Sequence, residues 1–294
     1  SGDLLLGLPF GVRGEWEASA DALPRAAAAR PGRRNVEFFL AMAALRAGRV
    51  EAARQAAERL AALDPDSSQA TSLLALALDR GGERDLARAR LDDAVALRPA
   101  DLPLRILRGR LLLAQGDPAA ALTRLDADVE QFPDAADLLT MRTLALLAAG
   151  RRDDAVAAAD AVFARGSTRF TGRLLRAHLA RVARDHERET TELRAALDEQ
   201  PDAAVVHARF GRLLLGLGRR VESRAHLARA VELAPGDAAS RAGLAMLVAD
   251  AGEAERAETL YRETLDLDPD NALAANNLAS ALIARQGRGP EAVA

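Results

Sequence analysis

An all-α solenoid of stacked helix hairpins is the fold this sequence predicts, and three residue ladders predict it. Prolines stand at Pro31, Pro65, Pro99, Pro133, Pro201, Pro235 and Pro269, each a multiple of 34 residues from the first, with Ser167 in the one gap. Glycines keep the same period at Gly14, Gly48, Gly82, Gly116, Gly150, Gly218 and Gly252, with Arg184 in their gap, and each lies 17 residues ahead of a proline position. The third ladder is of small residues, at Ala53, Ala87, Ala121, Ala155 and Ala257, with Ser19 and Ser223 in the same slot. Self-similarity at a fixed period of roughly 20–50 residues is the mark of a repeat array, so a chain of 294 residues need not divide into independent domains.

Each half-period reads as a helix. In residues 73–77 and 86–95 the apolar positions recur at helical spacing and do not alternate. Glycine belongs in the turn between the paired helices, where a residue without Cβ adopts a left-handed backbone at least cost. Proline ends the second helix, because it has no amide to donate to a further turn. An acid follows it at Asp66, Asp134, Asp202 and Asp270, where it is expected to cap the next helix. The small-residue ladder is expected where two helices approach closely, with a bulkier contact four residues later at Leu23, Leu91, Leu125, Leu193, Leu227 and Tyr261. These boundaries give a non-repeat segment 1–13, a half repeat 14–30, full repeats over 31–268 and a truncated last repeat 269–294, about eight units in all. Because a terminal repeat needs a polar cap, the array is expected to continue past Ala294.

Composition narrows the function. All 40 basic residues are arginine and there is no cysteine. That excludes Schiff-base and phosphate-loop lysines, thiol nucleophiles, disulfides and thiolate zinc sites. The net charge of -3 argues against nucleic acid as the main partner. The apolar stretch 4–10 is far shorter than the roughly 20 residues of a membrane span. The absence of thiols leaves cytoplasm and periplasm equally open. His178, His186, His207 and His226 form no tight ligand spacing, and 186–190 departs from a metalloprotease helix motif at Thr190, where the second histidine would stand. Gly216 and Gly218 belong to a turn of the ladder. No catalytic residue, metal or cofactor is expected, and the chain is read as a non-enzyme.

The 34-residue period, paired helices, small residues at fixed slots and terminal proline resemble the tetratricopeptide repeat family, over residues 14–294. The resemblance implies a right-handed superhelix whose first helices line a concave groove that holds a peptide or partner protein. Carried onto this chain, the groove positions include Asn35, Phe38, Met42, Gln69, Ser72, Leu76, Ile106, Arg110, Thr140, Leu144, His178, Arg181, Arg212, Met246, Asn276 and Ser280. Asn277 alone matches the asparagines and lysines with which chaperone-binding members hold a carboxylate. Phe38, Met42 and Met246 beside Arg110, Arg181 and Arg212 suit an extended segment carrying apolar and acidic residues. The bias toward Ala, Arg and Leu is similar to bacterial family members that serve cell-envelope polysaccharide or protein-export assemblies. The reading is a non-catalytic interaction scaffold; the alternative is the recruiting segment of a larger enzyme such as a protein glycosyltransferase.

Repeat five breaks all three ladders, with Ser167 for proline, Arg184 for glycine and Glu189 for the small residue. Arg165, Arg169, Arg173, Arg176, Arg181 and Arg184, with His178 among them, run without an acid between Asp160 and Asp185. The five from Arg169 onward are expected on one helix arc of about 140° opposite Leu175, Leu179 and Val182. Such a patch pairs with carboxylates, or with an acidic polysaccharide, through forked guanidinium contacts, unless Glu187, Glu189 and Glu192 balance it. A further ladder, Arg108, Arg142 and Arg176, is expected to pack its stems between helices with the heads in water.

Overall fold

The computed structural model describes residues 20–24 and 32–287. Segment 1–13, Gly14, Ser19, Pro31 and the stretch after Gly287 lie outside the described residues. From Arg34 onward the chain is helix after helix, an all-α solenoid without a strand among the described residues. The helices are α1 (Arg34–Arg46), α2 (Val50–Leu63), α3 (Ser68–Arg80), α4 (Arg84–Leu97), α5 (Leu102–Ala114), α6 (Pro118–Gln131), α7 (Ala136–Ala148) and α8 (Arg152–Ala164). A 3-10 turn at Gly166–Thr168 leads to α9 (Arg169–Val182), α10 (His186–Glu199), α11 (Ala204–Gly216), α12 (Arg220–Leu233), α13 (Ala238–Asp250), α14 (Ala254–Leu267) and α15 (Ala272–Gly287). They form two compact units that divide within α9, between Leu175 and Arg176.

The ladders act as the spacing predicts. Gly48, Gly82, Gly116, Gly150, Gly218 and Gly252 have φ between 73 and 87°. At Gly82 the amide donates to Asp79 O at 3.0 Å and the next amide, of Glu83, to Leu78 O at 2.9 Å. This closure needs a left-handed residue at the turn, which glycine supplies. Ala53, Ala87, Ala121, Ala155, Ser223 and Ala257 are buried, and so are the bulky Leu91, Leu125, Leu193, Leu227 and Tyr261.

The caps are one residue from where the sequence put them. Proline and the residue after it form the turn, so Asp66, Asp134, Asp202 and Asp270 precede the capping position. The caps are Ser67, Asp101, Asp237 and Asn271, whose side chains accept from Ala70 N, Leu104 N, Ser240 N and Ala274 N at 3.1–3.2 Å. Ala135 and Ala203 hold the same position without a side-chain bond.

Repeat five rebuilds its entrance. Without proline, α8 stops at Ala164, and the hydroxyl of buried Thr168 donates to Val162 O at 2.8 Å. Gly172 lets α9 run so close to α8 that a Cβ there would lie 2.4 Å from the Phe163 backbone. Arg184 takes the glycine conformation at φ 60°, the one non-glycine residue with positive φ among the described residues. It makes the same closure, its amide to Arg181 O at 3.1 Å and that of Asp185 to Ala180 O at 2.9 Å.

Candidate functional site

In the second unit, α9 and α11 bring together His178, Arg181, Arg209 and Arg212. Arg181 and Arg212 are exposed, while His178 and Arg209 are half-buried. Arg181 Nη2 lies 3.1 Å from His178 Nδ1. Arginine can only donate, so that nitrogen is the acceptor and the ring is neutral at that position. Burial, then Arg181 and Arg209, holds His178 below the usual histidine value. Burial, then Arg181 and Arg212, lowers Arg209, with Glu189 acting in the opposite sense. Burial first and neighbouring like charge second thus disfavour the charged forms of His178 and Arg209. Among the described residues, none of Arg181, Arg209 and Arg212 has a carboxylate within ion-pair distance.

Glu189, in the small-residue slot of α10, is the acid facing this cluster. It is 4% exposed, and burial raises it above the usual carboxylate value against the pull of Arg181, His186 and Arg209. Its Oε2 makes no hydrogen bond, although His186 Nδ1 is 4.0 Å away. Arg209 is the member sequence reasoning missed. Its slot holds Leu73, Leu107 and Leu175 in other repeats, so a basic residue there was the available signal.

The remaining expected site residues scatter. The guanidinium carbons of Arg169 and Arg173 sit 5.0 and 4.9 Å from the Phe163 ring centroid, a cation–π arrangement within the first unit. Arg176 is 3.6 Å from Glu192. Arg184 lies in the turn after α9 and so leaves the expected helix arc. Of the expected apolar face, Leu175 is buried while Val182 is 42% exposed. Met42 and Ser72, expected to line the groove, are buried instead, Met42 in the core with Leu40, Ala44 and Leu73. Phe38 is half-buried against that core, and Arg110 is half-exposed. Asn276 is exposed, whereas Asn277 bonds the Tyr261 hydroxyl.

The arginine ladder also differs from expectation. Arg108 is 8% exposed and gives Nη2 to both oxygens of Asp128 at 2.9 Å and Nη1 to Asp92 at 3.0 Å. Arg105 bonds the same Asp128, donates to Pro99 O at 2.8 Å and Gln131 at 2.6 Å, and stacks over Phe132. Arg142 bonds Asp126 at 2.6 Å. An acid on a second helix therefore holds each head, out of open water at Arg108. The cavity between α4, α5 and α6, about 130 Å³, is lined by Arg88, Arg108 and Arg124, and each of these has a carboxylate partner.

No helix of the described residues is long and apolar enough to cross a membrane. A family model described as tetratricopeptide repeat matches residues 4–68, 40–101, 106–142, 208–272 and 244–294. The longest stretch it leaves, 143–207, contains all three ladder failures of repeat five. No curated protein sequence matches the chain. Among solved structures, a tetratricopeptide repeat protein from Parabacteroides merdae is similar at 14% identity and TM-score 0.54, over 85% of this chain and 98% of that one. Yeast Tom70 is similar at 14% identity and TM-score 0.71, over 94% and 61%, and the APC/C hetero-tetramer Cut9–Hcn1 at 15% and 0.53, over 92% and 53%. The chain thus spans less than two thirds of the latter two. At such identity the likeness shows the fold.

Proposed function

This chain belongs to the tetratricopeptide repeat family, and we propose from that premise that it is a non-catalytic scaffold whose first helices hold an extended protein segment. An acidic stretch of that segment seats on α9 and α11. The carrying observation is the set His178, Arg181, Arg209 and Arg212, where like charges crowd without a carboxylate in ion-pair distance. Folding such a cluster costs free energy that a bound anion returns, through forked, charge-assisted hydrogen bonds. Phe38 and Arg110, half-exposed on first helices of the first unit, suit the apolar and acidic residues of the same kind of partner. This segment-binding reading applies equally to a scaffold in a cell-envelope polysaccharide or protein-export assembly and to the recruiting segment of a larger enzyme.

The test is fluorescence anisotropy with a labelled peptide of alternating glutamate and leucine at two ionic strengths, with an acidic polysaccharide as competitor. Arg209→Glu with Arg212→Glu should lower affinity at least about tenfold and flatten the salt dependence. Equal affinity and equal salt slope in wild type and variant would sink the proposal. Competition by the polysaccharide alone, with no peptide binding, would replace the protein segment by a glycan.

A further inference from the structure

We propose that His207 and His226 form a two-imidazole clip for a divalent cation of the nickel or copper class, tying α11 to α12 within one hairpin. The pair is separate from the cationic cluster, and the scaffold reading does not use it. His207 lies in the first turn of α11 and His226 in the second turn of α12. Their Nδ1 atoms are 2.9 Å apart, with the rings tilted by 37°.

The tautomers follow from the partners. His207 Nε2 is 2.8 Å from the Pro201 carbonyl oxygen, which can only accept, so Nε2 carries the proton and Nδ1 of the neutral ring is a lone pair. This is how a metal-binding histidine is prepared, with its far nitrogen donating to a carbonyl and its near nitrogen left for the cation. His226 then donates its own Nδ1 proton across the pair. Its Nε2 makes no hydrogen bond among the described residues, so the proton can move there and bare a second lone pair. Phe210, 4.6 Å away between centroids, packs against the His226 ring and steadies it.

Ligand type selects the ion. Imidazole nitrogens favour Cu2+ and Ni2+ over Zn2+ in the usual affinity order. The 2.9 Å hydrogen bond between the rings, which a cation would replace, already holds the two nitrogens near the roughly 2.9 Å that two cis ligands at about 2.0–2.1 Å require. No third histidine or carboxylate among the described residues joins the pair, so water fills the other positions and the ion exchanges readily. A bound ion pins the helix that also carries Arg209 and Arg212.

Titrating Ni2+ alone into the full chain, followed by melting temperature and by the imidazole NMR signals, tests the clip. Wild type and a His186→Gln control should bind alike. His207→Gln and His226→Gln should each bind at least about tenfold more weakly, since each loses one of two coordinate bonds. Zn2+ should bind more weakly than Ni2+. Circular dichroism shows whether each variant keeps its helices, and if His226→Gln unfolds, His207→Gln decides. The proposal is overturned by no Ni2+ binding to wild type at about 1 mM, by binding unchanged in the pair variants, or by tighter binding of Zn2+.

Discussion

Arg105 and Arg108 on α5 and Arg209 and Arg212 on α11 are the same residue type on first helices, in opposite electrostatic situations. The first two are sunk between helices around Asp128, itself 1% exposed, and are held by carboxylates, a carbonyl and an aromatic face. The second two have each other, Arg181 and His178 for company, and a buried Glu189 that leans toward its neutral form. One set is part of how the first unit folds; the other is charge that the second unit tolerates. Net charge and residue counts do not distinguish them, because what differs is whether an acid lies opposite.

The largest expected effect tests the paired set. Asp128→Ala leaves Arg105 buried without a carboxylate and Arg108 with Asp92 alone, and should cost about 3–5 kcal/mol, whereas Arg212→Ala, at an exposed position, should stay within about 0.5 kcal/mol. Urea titration of both variants measures the contrast, and equal losses would break it. A smaller effect concerns an arginine whose cost is conformational. Arg184 holds a left-handed backbone where the six equivalent turns among the described residues use glycine, so Arg184→Gly should stabilise the chain by about 1 kcal/mol. An unchanged or lowered midpoint would mean that its side chain contributes as much as its backbone costs.

The smallest effect is a pH dependence confined to the second unit. His178 and His226 are held below 6.5, each by burial first and then by neighbouring charge. The unfolded chain takes up their protons more readily, so stability should rise with pH through the window that ends near 6.5. Glu189, raised above 4.5 by burial, works the other way: the folded state holds its proton more tightly, and stability should fall as pH rises through the window just above 4.5. Glu189→Ala should remove the fall and His178→Gln should reduce the rise, read from urea midpoints across a pH series. Identical profiles in both variants would show that these groups do not couple to folding.

Much of the fold was legible because its signals are local. The left-handed turn is written at Gly82, and the helix stop at Pro99. The caps were misplaced because proline starts a two-residue turn, which moves the capping position from Asp66 to Ser67. The site was legible in part. The acid-free run pointed to repeat five, but Arg169 and Arg173 turned to Phe163, while Arg209, 25 residues past Arg184, joined from the next repeat. The same distance hid the histidine pair, 19 residues apart in sequence, which no short motif could show.

The sequence by itself determined the period, the two helices per repeat, the turn chemistry and the unit where all three ladders fail. These follow from backbone sterics and from which residues supply or withhold an amide, and such properties belong to a residue and its near neighbours. Only the tertiary structure decided which arginines are paired, whether Met42 lines the groove or the core, and that Glu189 loses its water. Those outcomes depend on what the adjacent helix places opposite. Two slots show this directly: Glu37 with Arg59 in one hairpin becomes Arg241 with Glu263 six periods later. The packing conserves the contact between the two helices, and either order of charge satisfies it.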